Sequence, residues 1–575
     1  MDDGGARRAG PTRRDVMAAA GASALALTAG TGLAERPTVA RGCVFEDRNR
    51  TGRRGPGDRG IAGVMVSNGR DVVRTDTEGR WRLPLADGDS VFVIKPPHWS
   101  TPLGLGGVAQ FSRLHQPKGS PGGIAYRHAG VAGTGPLPSS IDFPLTRQEE
   151  NARFEALLFA DTQPENGAEL GYLRDDIVAG VLGTQAAFGI NHGDIVFDDL
   201  SLYPRYLRIL GATGIPWHHC PGNHDINSEA RDDRGSRETW KRVFGPRHYA
   251  FQHAGATFIV LDNVHYFGHN PGAPRSGTYC GLIGERQLQF VRNVLAHLPR
   301  EQLVVLSMHI PLATYHDPAC PSDNTADRDA LLRLLASRPH TVSFSGHMHL
   351  TEHHYLTGDA AAGAHGPHHH QVLAAASGGW WGGPHDGRGI PSADSPDGSP
   401  NGFHVLSVDG ADHTTRFVAA AGKASGSGQL RAVVDGPSAR QPRAIRSDTG
   451  AGEFRGGPIP ADELGACTLV VNVFDGGPRT SVAYEIAGRQ PARVPMQRTA
   501  MRDPYIAQLF ARSAPTQKPW VQAVPSSHMW KAPLPTDLAP GAHRVTVRIR
   551  DEYGRQSVAH MLLEVGPRGA ATAPA

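Results

Sequence analysis

Five short apolar segments in the middle of the chain each end in polar residues, and this pattern constrains the fold most. They are "FEALLFADTQ", "AFGINHGDIVFDD", "TFIVLDNVH", "QLVVLSMHIPL" and "HTVSFSGHMHL". Helix-like stretches lie between them, namely "SLYPRYLRILGAT", "GERQLQFVRNVLAHL" and "DRDALLRLLAS". Alternating strands and helices predict an α/β layered fold. The carboxyl ends of its strands would bring the polar clusters to one site.

The segment "HHCPGNHDIN" (218–227) adds a further polar cluster after "TGIPW". Burying this segment in the hydrophobic core would be energetically unfavourable, because buried amide and imidazole groups need hydrogen-bond partners. As a metal site it requires ligands from other segments, and the strand ends described above can supply them.

Both flanks of this region have β character. In "GVMVSNGRDVVRTDTEGRWRLPL" apolar and polar residues alternate, with hairpin turns expected at Asn68-Gly69 and Glu78-Gly79. This flank resembles transthyretin-like modules, which leaves open a carbohydrate- or surface-binding role or a packing role. The strands "CTLVVNVFDGG", "TSVAYEIAG" and "HRVTVRIRDEYGR" predict a second sandwich. The predicted domains after a signal are 39–148 (N-terminal β-sandwich), 149–415 (α/β domain) and 416–575 (C-terminal β-rich domain).

The N-terminus is typical of an export signal. "TRRDVMAAAGASALALTAGTGLA" places Arg13 and Arg14 before an Ala-rich apolar run, so residues 1–38 resemble a twin-arginine signal. The protein is then expected in the periplasm, on the cell surface or outside the cell. The alternative is a disordered basic tail. Beyond this segment no stretch predicts a membrane span.

Composition narrows the function classes. A formal net charge of +3 gives no signal for nucleic-acid binding or for binding to a membrane surface. The five cysteines show no zinc-ribbon spacing, and their odd number leaves at least one unpaired within a monomer. Cys280 and Cys320, in loop-like sequence, are the best candidates for a disulfide.

Five polar blocks occur in a fixed order, and they resemble the calcineurin-like metallophosphoesterases. The resemblance covers about 150–410. The stretches "SPDGSPNGF" and "SSHMWKAPLP" suggest the N- and C-terminal β modules of one exported bacterial branch of that family. The blocks are "DTQ" (161–163), "GD" (193–194), "GNHD" (222–225), "MHIP" (308–311) and "GHMH" (346–349).

The resemblance implies two divalent cations, and the chemistry of the residues agrees with it. Asp194 would bridge both ions, because a carboxylate has two oxygens. Two dications with two aspartates and a hydroxide keep a net positive charge that attracts phosphate. His347 and His349 would point the same way if the backbone is extended, and Gly346 would allow close approach. One ion would be completed by Asp161, Gln163 and His349, and the other by Asn223, His309 and His347.

Gln163 departs from the commonest family pattern, in which His occupies this position. A Gln variant resembles the branch that includes manganese-dependent pyrophosphatases acting on ADP-ribose or CDP-alcohols. A carbonyl oxygen is a harder ligand than imidazole, so Mn²⁺ is favoured, while Fe, Zn and Mg remain compatible.

His224 is the predicted catalytic neighbour of the metals. It would donate a proton to a phosphate oxygen, and Asp225 would bind its other ring nitrogen and fix the tautomer. Asp198 and Asp199 are interpreted as loop or cap residues.

Substrate contacts are expected from the loops beyond the strands. "GGWWGGPHDG" places Trp380 and Trp381 between glycine pairs, which suits either a stacking wall or a packed loop. Asn401 and His316 are further candidates for contact with the substrate. The cluster that contains His365 and 368–370 is interpreted as a solvated loop.

These features together predict an exported, dinuclear metal-dependent phosphoesterase. A metal-bound hydroxide would attack a phosphodiester or pyrophosphate in a small phosphorylated substrate. One alternative is a phosphomonoesterase of the same fold, and the other is a cell-surface binding protein with a vestigial metal domain. The sequence does not indicate the oligomeric state.

Overall fold

The computed structural model describes residues 38–357, 366–377, 381–420, 429–437, 443–445 and 458–569. Most of the predicted export signal, together with Trp380 and His365, lies outside the described residues. Among the helices of the described ranges, none combines the length and the apolar character that crossing a bilayer requires.

Two mixed sheets form the centre of the molecule and confirm the predicted α/β layered class. The first contains, in spatial order, Trp217–His219, Phe188–Asn191, Arg153–Phe159, Gly402–Asp409 and Asp412–Ala419. The second contains Tyr249–His253, Ala256–Val260, Leu303–Ser307, Thr341–Ser345, His368–Val372 and Glu352–Leu356. A two-stranded ribbon, Val264–Tyr266 with Tyr279–Gly281, lies beside them.

The first sheet is buried on both faces, as apolar parallel strands require. Leu158 belongs to the core cluster that contains Val305 of the second sheet. Its neighbour Leu157 belongs to a second cluster, which the helices cover through residues such as Leu173 and Leu207. The helices are Gly167–Asp176, Tyr203–Gly211, Glu238–Val243, Glu285–Ala296, Arg328–Leu335 and Pro504–Ser513.

The N-terminal strands form two four-stranded sheets. One contains Arg80–Leu85, Thr38–Glu46, Phe143–Arg147 and Trp99–Ser100, and the other Val72–Arg74, Met65–Ser67, Asp89–Ile94 and Ser112–His115. The predicted turn is present: Gly69 has a φ of 80°, and the Asn68 side chain accepts a hydrogen bond from Asp71 N at 2.7 Å.

This module packs firmly on the central domain. Phe92 meets Phe290 edge-on at 5.8 Å, and Arg286 donates to the Asn68 carbonyl at 2.8 Å. The hydrophobic core therefore continues from one into the other.

The C-terminal region is β-rich, as predicted. One sheet contains Arg443–Ile445, Leu430–Asp435, Thr468–Val473, Met529–Pro533 and Gln497–Arg498. The other contains Ile459–Pro460, Gln556–Gly566, Gly541–Arg550, Ser481–Ile486 and Val494–Pro495. The short strands Met501–Arg502 and Pro525–Ser526 pair separately.

Two interpretations of the sequence are wrong. Residues 368–370 do not form a solvated loop: they lie on the buried strand His368–Val372, where Ser343 bonds the ring of His370 at 2.7 Å. A disulfide between Cys280 and Cys320 is also absent, since neither of these two cysteines is bonded to another cysteine. Cys280 belongs to the strand Tyr279–Gly281 rather than to a loop.

The C-terminal module is anchored by the carboxylate of Asp475. Its Oδ1 accepts hydrogen bonds from Gln371 at 2.9 Å, His404 at 3.0 Å and His353 at 3.1 Å. Burial opposes ionisation of Asp475, but the adjacent His404 and His353 outweigh it and hold its pKa below the ordinary value. Burial lowers the pKa of His353, but Asp475 reverses this and raises it.

We expect Asp475→Asn to lower the free energy of unfolding by about 2 kcal/mol at intermediate pH, because it removes a hydrogen-bonded charge. Asp475 has a depressed pKa, so its contribution fades as pH falls below about 4, the unfolded value for Asp. His353 has a raised pKa, so its contribution fades as pH rises above about 6.5, the unfolded value for His. Urea unfolding at about pH 3, 5.5 and 9 measures this window.

Asp409→Asn is the matched control, because its ion pair with Arg153 is solvent-exposed and such pairs contribute about 0–1 kcal/mol. A loss for Asp475→Asn that is the same at all three pH values would contradict the ionic anchor.

Candidate metal centre

The structure brings the predicted ligands to one edge of the two central sheets. Asp161 follows the strand Arg153–Phe159, and Asp194 follows Phe188–Asn191. The other ligands likewise follow the ends of neighbouring strands: Asn223 after Trp217–His219, His309 after Leu303–Ser307, and His347 and His349 after Thr341–Ser345. Chain direction in the sheets thus accounts for the convergence.

His309 and three neighbouring side chains bring four electron-pair donors together. His309 Nε2 lies 3.0 Å from Asn223 Oδ1, 3.3 Å from Asp194 Oδ2 and 3.2 Å from His347 Nδ1. The opposite nitrogen, Nδ1, donates to the His192 carbonyl at 2.8 Å. In the neutral ring that bond fixes the tautomer and leaves the electron pair on Nε2, which metal binding requires.

A second group of donors shares Asp194. His349 Nε2 lies 3.6 Å from Asp161 Oδ1, and the Gln163 amide contacts Asp194 Oδ2 at 2.6 Å. A half-turn of this amide would present its oxygen there instead, as a cation requires. The His347 backbone N–H donates to the Asp161 carboxylate at 2.9 Å.

The backbone at this edge is strained. Positive φ angles occur at Asp161 (48°), Gln163 (31°), Asp194 (51°), His347 (73°) and His349 (54°). Such angles are unfavourable for residues with a side chain, and they cluster at functional sites. They also show that the two histidines do not lie in extended backbone, so their convergence comes from left-handed turns and not from the predicted alternation.

Glycines make the close packing possible. A Cβ on Gly222 would lie 2.2 Å from the Asp194 backbone nitrogen, and one on Gly193 would lie 2.4 Å from His309 Nδ1. A Cβ on Gly346 would lie 2.4 Å from an Asp161 carboxylate oxygen, which agrees with the role predicted for this glycine.

Burial and neighbouring charges shift the pKa values of the carboxyl and imidazole groups at the site. Burial raises the pKa of Asp161 to about 8. Burial opposes ionisation of Asp194 too, but His309 and His224 outweigh it and hold its pKa below the ordinary value. For His224, Asp194 and Asp198 outweigh burial and raise the pKa to about 9. Carboxylate, amide and imidazole donors in this arrangement fit divalent cations.

Comparison with known families identifies the domain. A profile described as calcineurin-like phosphoesterase matches residues 157–350, and profiles for the N terminal and C terminal of calcineurin-like phosphoesterase match residues 48–126 and 370–556. The chain belongs to the calcineurin-like phosphoesterase family. It is a metal-dependent phosphoric ester hydrolase, and its substrate is a small phosphorylated molecule.

Comparisons of this calcineurin-like phosphoesterase with curated proteins and with solved structures give the following results. No curated protein matches the sequence. Among solved structures it is similar to a purple acid phosphatase from yellow lupin seeds, with 12% identity, 66% of this chain and 67% of that chain covered, and a TM-score of 0.32.

The partner predicted for His224 is wrong. Its Nδ1 lies 2.8 Å from Asp198 Oδ1, a residue interpreted from sequence as part of a loop. The Asp225 carboxylate points elsewhere: it accepts from Gly222 N and the Tyr203 hydroxyl, both at 2.9 Å. Asp225 therefore holds the ligand loop, whereas Asp198 orients the His224 ring.

Sequence reasoning also missed Asp323. Its Oδ1 lies 3.6 Å from His347 Nε2, opposite the nitrogen that faces His309. Such a carboxylate orients a metal-binding imidazole. No local pattern indicated it, because "PSDNT" has the composition of an ordinary loop.

The residues predicted to contact the substrate differ in their burial and in their contacts. Trp381 is 6% exposed and packs against Tyr172 with ring centroids 5.6 Å apart. Asn401 is completely buried and donates to Asp176 at 2.8 Å, so it is a structural residue and not a substrate contact. His316 is half-buried in a loop whose neighbour Tyr315 stacks on His354, and no contact among the described residues joins it to the metal ligands.

We expect Asp198→Asn to lower kcat by about tenfold with metal content unchanged, because carboxylate partners of catalytic or metal-binding imidazoles typically contribute 10–100-fold. Asp225→Asn should instead lower metal content and thermal stability, because it disturbs the buried bonds of the ligand loop. Steady-state kinetics together with metal analysis of both variants tests this. Unchanged kcat in Asp198→Asn would remove that residue from the mechanism.

Proposed function

We propose that this phosphoesterase hydrolyses a phosphodiester or pyrophosphate with two divalent cations, of which Mn²⁺ is favoured. The observation that carries the proposal is the position of Asp194 between two donor groups. It contacts His309 of one group and Gln163 of the other, which also contains Asp161 and His349. A shared carboxylate at this place is what a two-cation site requires. The complete ligand set argues against a vestigial domain.

The two donor groups and His224 have separate roles in the proposed reaction. Cations bound by the two donor groups would supply Lewis-acid activation of the phosphate and of water. Asp198 holds His224 through Nδ1, so Nε2 is directed to carry a proton to the departing oxygen. His224 is further fixed by its ring contact with Phe197, at 4.3 Å between centroids.

We propose that a second substituent on phosphorus extends from the metal centre along the loop after Gln163. The loop after Gln163 leads to a cavity of about 320 Å³ lined in part by Tyr172, Trp381 and Lys518. A diester or pyrophosphate has an organic group on both sides of the reacting phosphate, whereas a monoester has only one. The cavity therefore supports the two-armed substrate.

We expect close to two metal ions per chain, and loss of both ions and activity in Asp194→Ala.

The substrate pair bis(4-nitrophenyl) phosphate and 4-nitrophenyl phosphate shares one leaving group, and kcat/KM should be at least tenfold higher for the diester. His224→Ala should retain the metals and lower kcat by roughly 10²–10⁴-fold, the usual size of a general-acid effect. Full metal content in Asp194→Ala, or a preference for the monoester, would contradict the proposal.

Export through residues 1–38 is part of the same proposal, supported by Arg13 and Arg14 before the apolar run. Twin-arginine carriers pass folded proteins, which suits an enzyme that is loaded with metal before it crosses. Replacing both arginines with Lys should leave the precursor in the cytoplasm, as measured by immunoblotting of cell fractions. Normal secretion of this variant would show that the signal is of another type.

A further inference from the structure

The C-terminal module reaches the metal centre through one segment, residues 516–524. Thr516 donates to the Gly382 carbonyl at 2.6 Å, and Val524 N donates to the Pro396 carbonyl at 3.1 Å. The segment is thus held at both ends against the phosphoesterase domain.

Between these ends, Lys518 contacts the loop that follows Gln163. Its ammonium group pairs with Glu165 and lies 3.7 Å from Glu169. The lysine charge is therefore compensated by two carboxylates from the phosphoesterase domain, and the surface here is not strongly cationic.

Trp520 of this segment extends a row of rings that begins at the catalytic histidine. The Phe197 ring stacks on His224, with an interplanar angle of 22°. The Trp520 ring is parallel to Phe197 within 2°, with centroids 6.3 Å apart. Trp520 nevertheless remains 50% exposed, so much of its apolar surface faces solvent beside the site.

We propose that Phe197 and Trp520 bind a flat aromatic ring of the substrate, so that the preferred ester is a nucleotide-type phosphodiester or pyrophosphate. This inference rests on the proposed function. A ring placed on Trp520 would cover apolar surface, and base–aromatic stacking tolerates any base because each has a π-face. Because Phe197 also contacts His224, the aromatic surface is continuous with the group that donates the proton. The C-terminal module then completes the substrate site.

The surface formed by Phe197 and Trp520 is apolar, and this distinguishes it from a phosphate subsite. The positive charge that attracts phosphate belongs to the metal centre, and the nearby Lys518 is already paired. The ring surface therefore selects the uncharged part of the substrate. A sugar without a base would gain the phosphate contacts but not the stacking.

Isothermal titration of the metal-loaded full chain with adenosine 5′-monophosphate and with ribose 5-phosphate tests the inference. The two probes share the phosphorylated ribose and differ in the base. We expect the nucleotide to bind the unaltered protein at least tenfold more tightly. Trp520→Ala should weaken nucleotide binding about tenfold and leave ribose 5-phosphate unchanged, while Trp520→Phe should retain most of the difference.

Leu562→Ala is the control, because Leu562 is a 64% exposed apolar residue on a strand of the same module. It should change neither affinity. Equal affinities of the two probes for the unaltered protein, or equal losses in Trp520→Ala, would overturn the inference. Hydrolysis of 4-nitrophenyl phosphate as fast as that of bis(4-nitrophenyl) phosphate would instead contradict the diester preference, so the two failures are separable.

Discussion

The arrangement of the whole site depends on the position of one carboxylate, that of Asp194. One of its oxygens faces His309 Nε2 at 3.3 Å and the Gln163 amide at 2.6 Å. The other accepts the backbone N–H of His224 at 2.9 Å. Gly222 also packs against it with no room for a Cβ, so three separate segments are placed against a single side chain. A movement of this group would misplace both donor groups and His224 together.

The strained turns can persist because the strands before them are firmly buried. Left-handed angles for non-glycine residues cost of order 1–3 kcal/mol each, and the site has at least five. Of the strands that precede them, Phe188–Asn191 is buried along its whole length and Thr341–Ser345 at every residue but the first. The apolar core thus holds in place a polar edge that would not adopt this form alone.

The features that short segments of the sequence specify could be predicted from the sequence. The strand ends and their ligand types can be read from short segments, and the parallel sheets bring them together without further information. The partner of His224 could not be read in this way, because Asp198 and Asp225 are both acidic neighbours, and only the fold shows which one faces the ring.

Other errors have a similar physical origin. The residues 368–370 are polar in sequence, yet Thr341 and Ser343 provide hydrogen bonds that allow them inside a sheet. Asn401 is a residue type common in turns, but it is buried, and Asp176 from a distant helix accepts a hydrogen bond from its amide N–H. In both cases a long-range partner reverses the exposure that the local composition suggests.

The C-terminal module illustrates how distant parts of the chain become coupled. Its Asp475 binds three side chains of the phosphoesterase domain, and its residues 516–524 carry Trp520 to the row of rings beside His224. The position of Trp520 therefore depends on an interface stabilised elsewhere by a buried carboxylate. Loosening that interface would displace the aromatic surface while leaving the metal ligands in place, because every ligand belongs to the central sheets. Metal chemistry and substrate choice are thus supported by different parts of the structure.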